Sequence, residues 1–136
     1  MRIERSVGLA GAMRTAASGM AAERFRMDTV SANIANANTS AATDEAAYHR
    51  RGVILRQGAN GVEIAGLQED QTTKIQKHED PSNPLADAFG MVRTSNVNPI
   101  MEMVDMVGAS RSYEANVAAF NSARGMLKSA LNIGRV

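Results

Sequence analysis

The sequence contains no cysteine and no tryptophan, and only 4% of its residues are aromatic. Without cysteine there is no disulfide, no thiol catalysis and no zinc–thiolate site. With so few aromatic side chains, which bury the most area per residue, 136 residues are not expected to build a large self-sufficient core. Charge of one sign is missing as well. A formal net charge of +1 and a pI near 8.2 make a field too weak to imply nucleic acid or an anionic membrane as partner. The N-terminal stretch Ile3 to Ala22 is broken by Glu4, Arg5 and Arg14, which excludes a signal-peptide apolar region and a membrane span there.

What the chain does have is adaptable packing material: nine Met and many Ala suit helix interfaces, including interfaces between chains, better than a rigid globule. The longest uninterrupted helical pattern runs from Asn98 to Leu131. Asn98 is placed to cap the first orphan N–H groups, Pro99 fits the first helical position, and Gly134 marks the stop. Met103, Met106, Ser110, Tyr113, Val117, Phe120, Arg124, Leu127 and Leu131 step by three and four, the spacing of a coiled-coil seam. Off that seam Val104, Val107, Ala115, Ala118, Ala119 and Met126 are also apolar, so more than one face wants a partner. At ~1.5 Å per residue this helix is roughly 50 Å long, against a radius of gyration of about 14 Å for a compact domain of this size. It should protrude unless another long element runs beside it.

A second stripe, from about Ser6 to Asn38, supplies that element: Leu9, Met13, Ala16, Met20, Glu23, Met27, Val30, Ile34 and Ala37. Gly8, Gly11 and Gly19 each weaken the helix by ~1 kcal/mol relative to Ala, so it needs its partner. The run from Ser31 to Thr39 is rich in Asn, a poor helix-interior residue. It reads either as a fraying helix end or as Asn33 and Asn36 hydrogen-bonding a neighbouring chain to fix register.

Between the stripes, residues 40–97 change character. Tyr48 to Leu55 and Gly61 to Leu67 alternate around Gly58-Ala59-Asn60-Gly61 and predict a hairpin. Thr72 to His78 and Met91-Val92-Arg93 can add strands across the loop Asp80-Pro81-Ser82-Asn83-Pro84. The fold class is therefore mainly α with a small β insert: a terminal-helix domain from 1–39 plus 98–136, pairing as a coiled-coil-like layer, and an insert at 40–97.

No catalytic constellation emerges. His49 and His78 stand alone, no metal spacing, nucleophile elbow or phosphate loop is present, and Glu79-Asp80 suits a solvated loop. The cluster His49-Arg50-Arg51 with Arg56 reads as strand charges that are solvated or paired with Glu63, Glu69 and Asp70, not as a nucleic-acid surface. No enzyme, no cofactor and no metal is expected. A soluble helical-hairpin adaptor binding one partner helix is an alternative that these patterns also allow.

The Asn-rich run Ser31 to Thr39, together with Glu102-Met103-Val104 and Ala109-Ser110-Arg111-Ser112-Tyr113-Glu114-Ala115-Asn116, resembles the terminal signatures of the axial proteins of the bacterial flagellum. Gly61-Val62-Glu63-Ile64, the stretch from Asp80 to Val92, and Asn96-Val97-Asn98 are similar in order and spacing to the proximal rod type of that family. Thr43-Asp44-Glu45-Ala46-Ala47 differs from the family's Gly/Pro-rich turn. The resemblance implies a structural subunit of the periplasmic rod that assembles with copies of itself and with other rod subunits. It further implies export without a cleaved signal by the flagellar type III apparatus, and no direct membrane insertion. Under it, the expected subunit-interface residues are Met13, Met20, Met27, Asn33, Ile34 and Asn36 on the first helix, with Met103, Met106, Tyr113, Val117, Phe120, Leu127 and Leu131 on the second.

Overall fold

The computed structural model describes residues 8–134, so the expected helix start at Ser6 lies outside the described residues. Helix α1 spans Leu9–Asn36 and α2 spans Pro99–Ile133. Asn98 caps α2 as its side chain predicts, accepting from the backbone N–H groups of Ile100 and Met101, with Pro99 in the first turn and Gly134 at the C-cap. The start of α1 has no side-chain cap, so that helix depends on tertiary packing.

The two helices pack side by side. Asn33 meets Glu102, and Gly19 lies against Asn116; in both pairs the residue numbers run in opposite directions, so the helices are antiparallel. They approach through small residues: Ala16, Ala22, Ala109 and Ala123 are buried. At Gly19 a Cβ would come within 2.8 Å of the Asn116 amide, so the glycine read as a helix weakness is a point of close approach between the helices. Gly19→Leu should therefore destabilise the chain by about 1–3 kcal/mol through overpacking, and Asn116→Ala added to it should recover part of that loss. Chemical denaturation of the two single variants and the double variant checks the coupling.

The seam on α2 is rotated from the predicted one. Glu102, Ala109 and Ala123 are buried where Met103, Ser110 and Arg124 were expected, while Met103 is exposed. The buried positions keep the seven-residue spacing of the predicted ones and lie one residue earlier throughout, so the difference is a constant rotation of the helix about its axis. Leu131 is also exposed.

The insert forms two small antiparallel sheets. Strands β2 (Arg51–Gly58) and β3 (Gly61–Glu69) make the predicted hairpin, and β1 (Ser40–Ala41), β4 (Gln76–Glu79) and β5 (Met91–Thr94) form a separate sheet in the order β1-β5-β4. β1 has no signal in the sequence. The hairpin runs back along α1: its base is bonded to Asn33, and at its tip the Ser18 hydroxyl accepts from the Val62 N–H at 3.0 Å. Gly61 has φ +125°, and a side chain there would strike Ser18. The tip is thus closed by a residue that must be glycine.

Candidate subunit interface and the polar junction beneath it

The C-terminal end of α1, the N-terminal end of α2 and the start of the hairpin converge on Asn33 and Glu102, both fully buried. The Asn33 amide uses all four of its hydrogen-bonding positions. Its Nδ2 donates to the Arg51 carbonyl and to Glu102 Oε2, each at 2.8 Å, and its Oδ1 accepts from the Arg51 N–H and the Tyr48 hydroxyl, each at 3.0 Å. A carboxamide pairs with a backbone N–H and C=O as a neighbouring strand would, so Asn33 extends the β-ladder onto the helix. The reading of Asn33 as a donor to a neighbouring chain is corrected: no capacity is left for one.

Glu102 Oε1 accepts from Arg50 Nε, and Arg50 reaches on to Asp105 at 3.1 Å. Burial works against the Arg50 charge, but the bond to Glu102 and the nearby carboxylates outweigh it and raise its pKa. Burial pushes the Tyr48 phenol up, so it stays protonated and donates to Asn33. Asn96 completes the junction: its Oδ1 accepts from the Arg50 N–H at 2.7 Å, and its Nδ2 donates to the carbonyls of Asp70 and Thr73. Val92, Val97, Ser95, Ala37 and Ala47 are buried around these segments. A buried carboxylate tolerates this setting because each of its two oxygens has a donor, one of them a cation.

Asn36 behaves as a helix-end residue, donating to the Ala32 carbonyl and accepting from the Thr39 hydroxyl. Of the other expected interface residues, Met13, Met20, Met27 and Ile34 on α1, with Met106, Tyr113, Val117, Phe120 and Leu127 on α2, are half-buried. They line the helix pair without being consumed by it. In contrast, Ile100, Met101, Met103, Val104 and Val107 stay 52–69% exposed on the outer side of α2. That is a contiguous apolar face of the kind that marks interaction sites.

The basic cluster resolves into pairs, Arg51 with Glu69 at 3.2 Å and Arg56 with Glu63 at 3.0 Å. Asp44, in the segment that departs from the family pattern, pairs with Arg93 at 3.0 Å and Lys77 at 3.4 Å and ties that segment to β4 and β5. Asp70 faces a cleft of about 400 Å³ at the hairpin base. The hydroxyls of Thr73 and Thr72, then their backbone N–H groups, hold its carboxyl far below the usual carboxylate range. It is a fixed anion closing a turn, unsuited to proton transfer at neutral pH. Among the described residues no group of His, Asp and Glu is arranged to hold a metal ion, and no helix is long and apolar enough to cross a membrane.

The sequence reading missed Arg50, Tyr48, Asn96 and Glu102 as members of one junction. The available signals were Asn at 33 and 96, beside apolar positions, and an acidic residue in the first turn of α2; nothing in their spacing pairs residues more than fifty positions apart.

Comparison with known proteins places this architecture. Residues 13–43 match the family described as flagella basal body rod protein, and residues 89–133 match the flagellar basal body rod FlgEFG protein C-terminal family. The flagellar basal-body rod protein FlgC of Bacillus subtilis is 37% identical, over 90% of this chain and 96% of its own length. The proteins of that name from Borreliella burgdorferi and Salmonella typhimurium are each 35% identical, covering 93% and 88% of this chain and 98% and 93% of their own lengths.

Proposed function

The chain belongs to the FlgC family of flagellar basal-body rod proteins, structural rod subunits rather than enzymes, and on that premise we propose that it builds a helical tube through its terminal helices and transmits torque across the periplasm. Residues 1–39 and 98–136 act as the assembly unit, and 40–97 is an insert clamped to it. The helices pair as a coiled-coil-like layer whose half-buried edge, Met13, Met20, Met27 and Ile34 with Met106, Tyr113, Val117, Phe120 and Leu127, meets neighbouring subunits. Met103 and Leu131 join that contact from the exposed side.

The observation that carries this reading is the apolar outer face left on α2 after it has packed on α1. A chain with a small core of its own gains stability by burying that face against other subunits. The polar junction suits torque transmission: it fixes both helices and the hairpin in one orientation, so shear on the insert passes to the helix layer. Assembly with other rod subunits follows from the family. Passage to the periplasm is through the flagellar type III export apparatus, without a cleaved signal.

Deleting the chain from its host should abolish motility and leave basal bodies that lack a complete rod, and the intact chain should co-purify with basal bodies. Electron microscopy of basal bodies with and without the chain tests this. Complete rods in the deletion strain would overturn it.

A further inference from the structure

The small net charge of +1 is the sum of two unlike ends. At the end of the helix pair remote from the junction, residues 8–22 and 115–134 carry Arg14, Arg124 and Lys128 and no Asp or Glu. All three cations are exposed, and none makes an ion pair among the described residues. The middle is neutral: Glu23, Arg24, Arg26 and Asp28 cancel on α1, Arg111 and Glu114 cancel on α2, and the hairpin charges cancel in the pairs Arg51–Glu69 and Arg56–Glu63.

At the junction end the sign reverses. Residues 37–50 and 70–105 bring eight carboxylates against four cations. Arg50, Lys77 and Arg93 are already bound there, to Glu102, Asp105, Asp44 and Asp87, so exposed Glu45 and Glu79 and half-buried Asp80 are left with no ion pair among the described residues. The β1-β5-β4 sheet packs on neither helix, which places its share of this charge beyond the helix pair. The dipoles of antiparallel helices oppose each other, so side chains set the field at each end. Roughly 40 Å of helix separates the ends at ~1.5 Å per residue, several times the Debye length of about 8 Å at physiological salt. The ends therefore cannot neutralise each other within one chain, and each keeps its field for a partner.

We propose that the basic end of one copy docks on the acidic junction end of the next, a head-to-tail contact that rests on the rod-subunit reading and names its partner. Charge complementarity selects a second copy as the occupant: an excess of three positive charges on one end matches an excess of four negative charges on the other. Opposite ends of one chain make a heterologous contact, which propagates from copy to copy instead of closing as a two-fold dimer. Two like ends repel, and that suppresses the reversed arrangement. Loss of a single carboxylate, as in Glu79→Gln, still leaves an excess of three and should be tolerated.

The test couples carboxylates to amines in isolated basal bodies with a zero-length carbodiimide, followed by mass spectrometry of the peptides. Lys128 is the one lysine of the basic end, and its amine should be joined to a carboxylate of residues 37–50 or 70–105. The length of helix between them makes such a link one between two copies. Lys77 and Asp44, 3.4 Å apart within the chain, supply the positive control, and Lys128→Arg should incorporate normally and lose the link. In parallel, Arg124→Glu with Lys128→Glu changes exposed helix positions to another good helix former, so the purified chain should melt as the parent does. Its incorporation into basal bodies should fall about tenfold because like charges then face each other, and Arg124→Gln with Lys128→Gln should fall between. Normal incorporation of the Glu pair, or no copy-to-copy link while Lys77–Asp44 is found, overturns the contact and leaves the rod reading standing. Links from Lys128 to a different rod protein alone, or binding of the parent but not the Glu pair to phosphatidylglycerol vesicles without a copy-to-copy link, overturn the choice of partner. Absence of the parent chain from basal bodies overturns the rod reading, and the contact with it.

Discussion

Glu102→Ala should lower the stability of the purified chain by about 3 kcal/mol and sharply reduce the number of assembled rods. The side chain is fully buried and bridges Arg50 and Asn33. Removing one partner of a buried, hydrogen-bonded ion pair costs ~3–5 kcal/mol because the remaining charge is left uncompensated. The lower end applies, since the Arg50 side chain is 35% exposed and keeps Asp105. The Asn33 amide loses a charged acceptor as well, and the hairpin it anchors loosens from α1. Glu102→Gln keeps the shape and one acceptor and should lose less. Urea unfolding of the three chains, with counts of basal bodies, measures both effects; a loss under about 1 kcal/mol for Glu102→Ala would show that the junction does not hold the helices to the insert.

Phe120→Asp should block rod formation while the subunit is still synthesised and exported. Phe120 lies half-buried on α2, one heptad from both Tyr113 and Leu127, which are also half-buried. An aspartate there must be desolvated in the packed helix layer, which costs several kcal/mol even with Arg124 one turn away, and the defect recurs in every copy of the assembly. An exported, unfolded chain does not use that face, so secreted protein should persist. Asp105→Asn, harmless on helix-dipole grounds alone, is a poor control because it removes the Arg50 ion pair at 3.1 Å, worth up to ~1 kcal/mol at this exposure. Glu79→Gln, on exposed β4, serves instead. If Phe120→Asp assembles as well as Glu79→Gln, the helix presents a different side to its neighbours.

Local chemistry in the sequence determined the ends of α2 and the hairpin. Asn98-Pro99 writes its own cap, and Gly58-Ala59-Asn60-Gly61 writes its own turn, because both depend on backbone groups a few residues away. Periodicity likewise determined that two apolar stripes exist and that more than one face of the C-terminal helix lacks a partner. The stripe read on the first helix does face inward, with Ala16, Val30 and Ala37 buried, whereas tertiary structure decided which residues of α2 lie deepest. The predicted and observed seams of α2 differ by a rotation that put Glu102 inside and Met103 outside, and a helix's rotation about its own axis is set by the partner it packs on. Tertiary structure also decided the meaning of Gly19, a weak helix position that lets α2 approach closely at Asn116, and of Asn33, whose amide is spent on Arg51, Tyr48 and Glu102. Those partners lie 15 to 69 positions away, and hydrogen bonds at such separations depend on how the elements are placed in space, which no local pattern encodes.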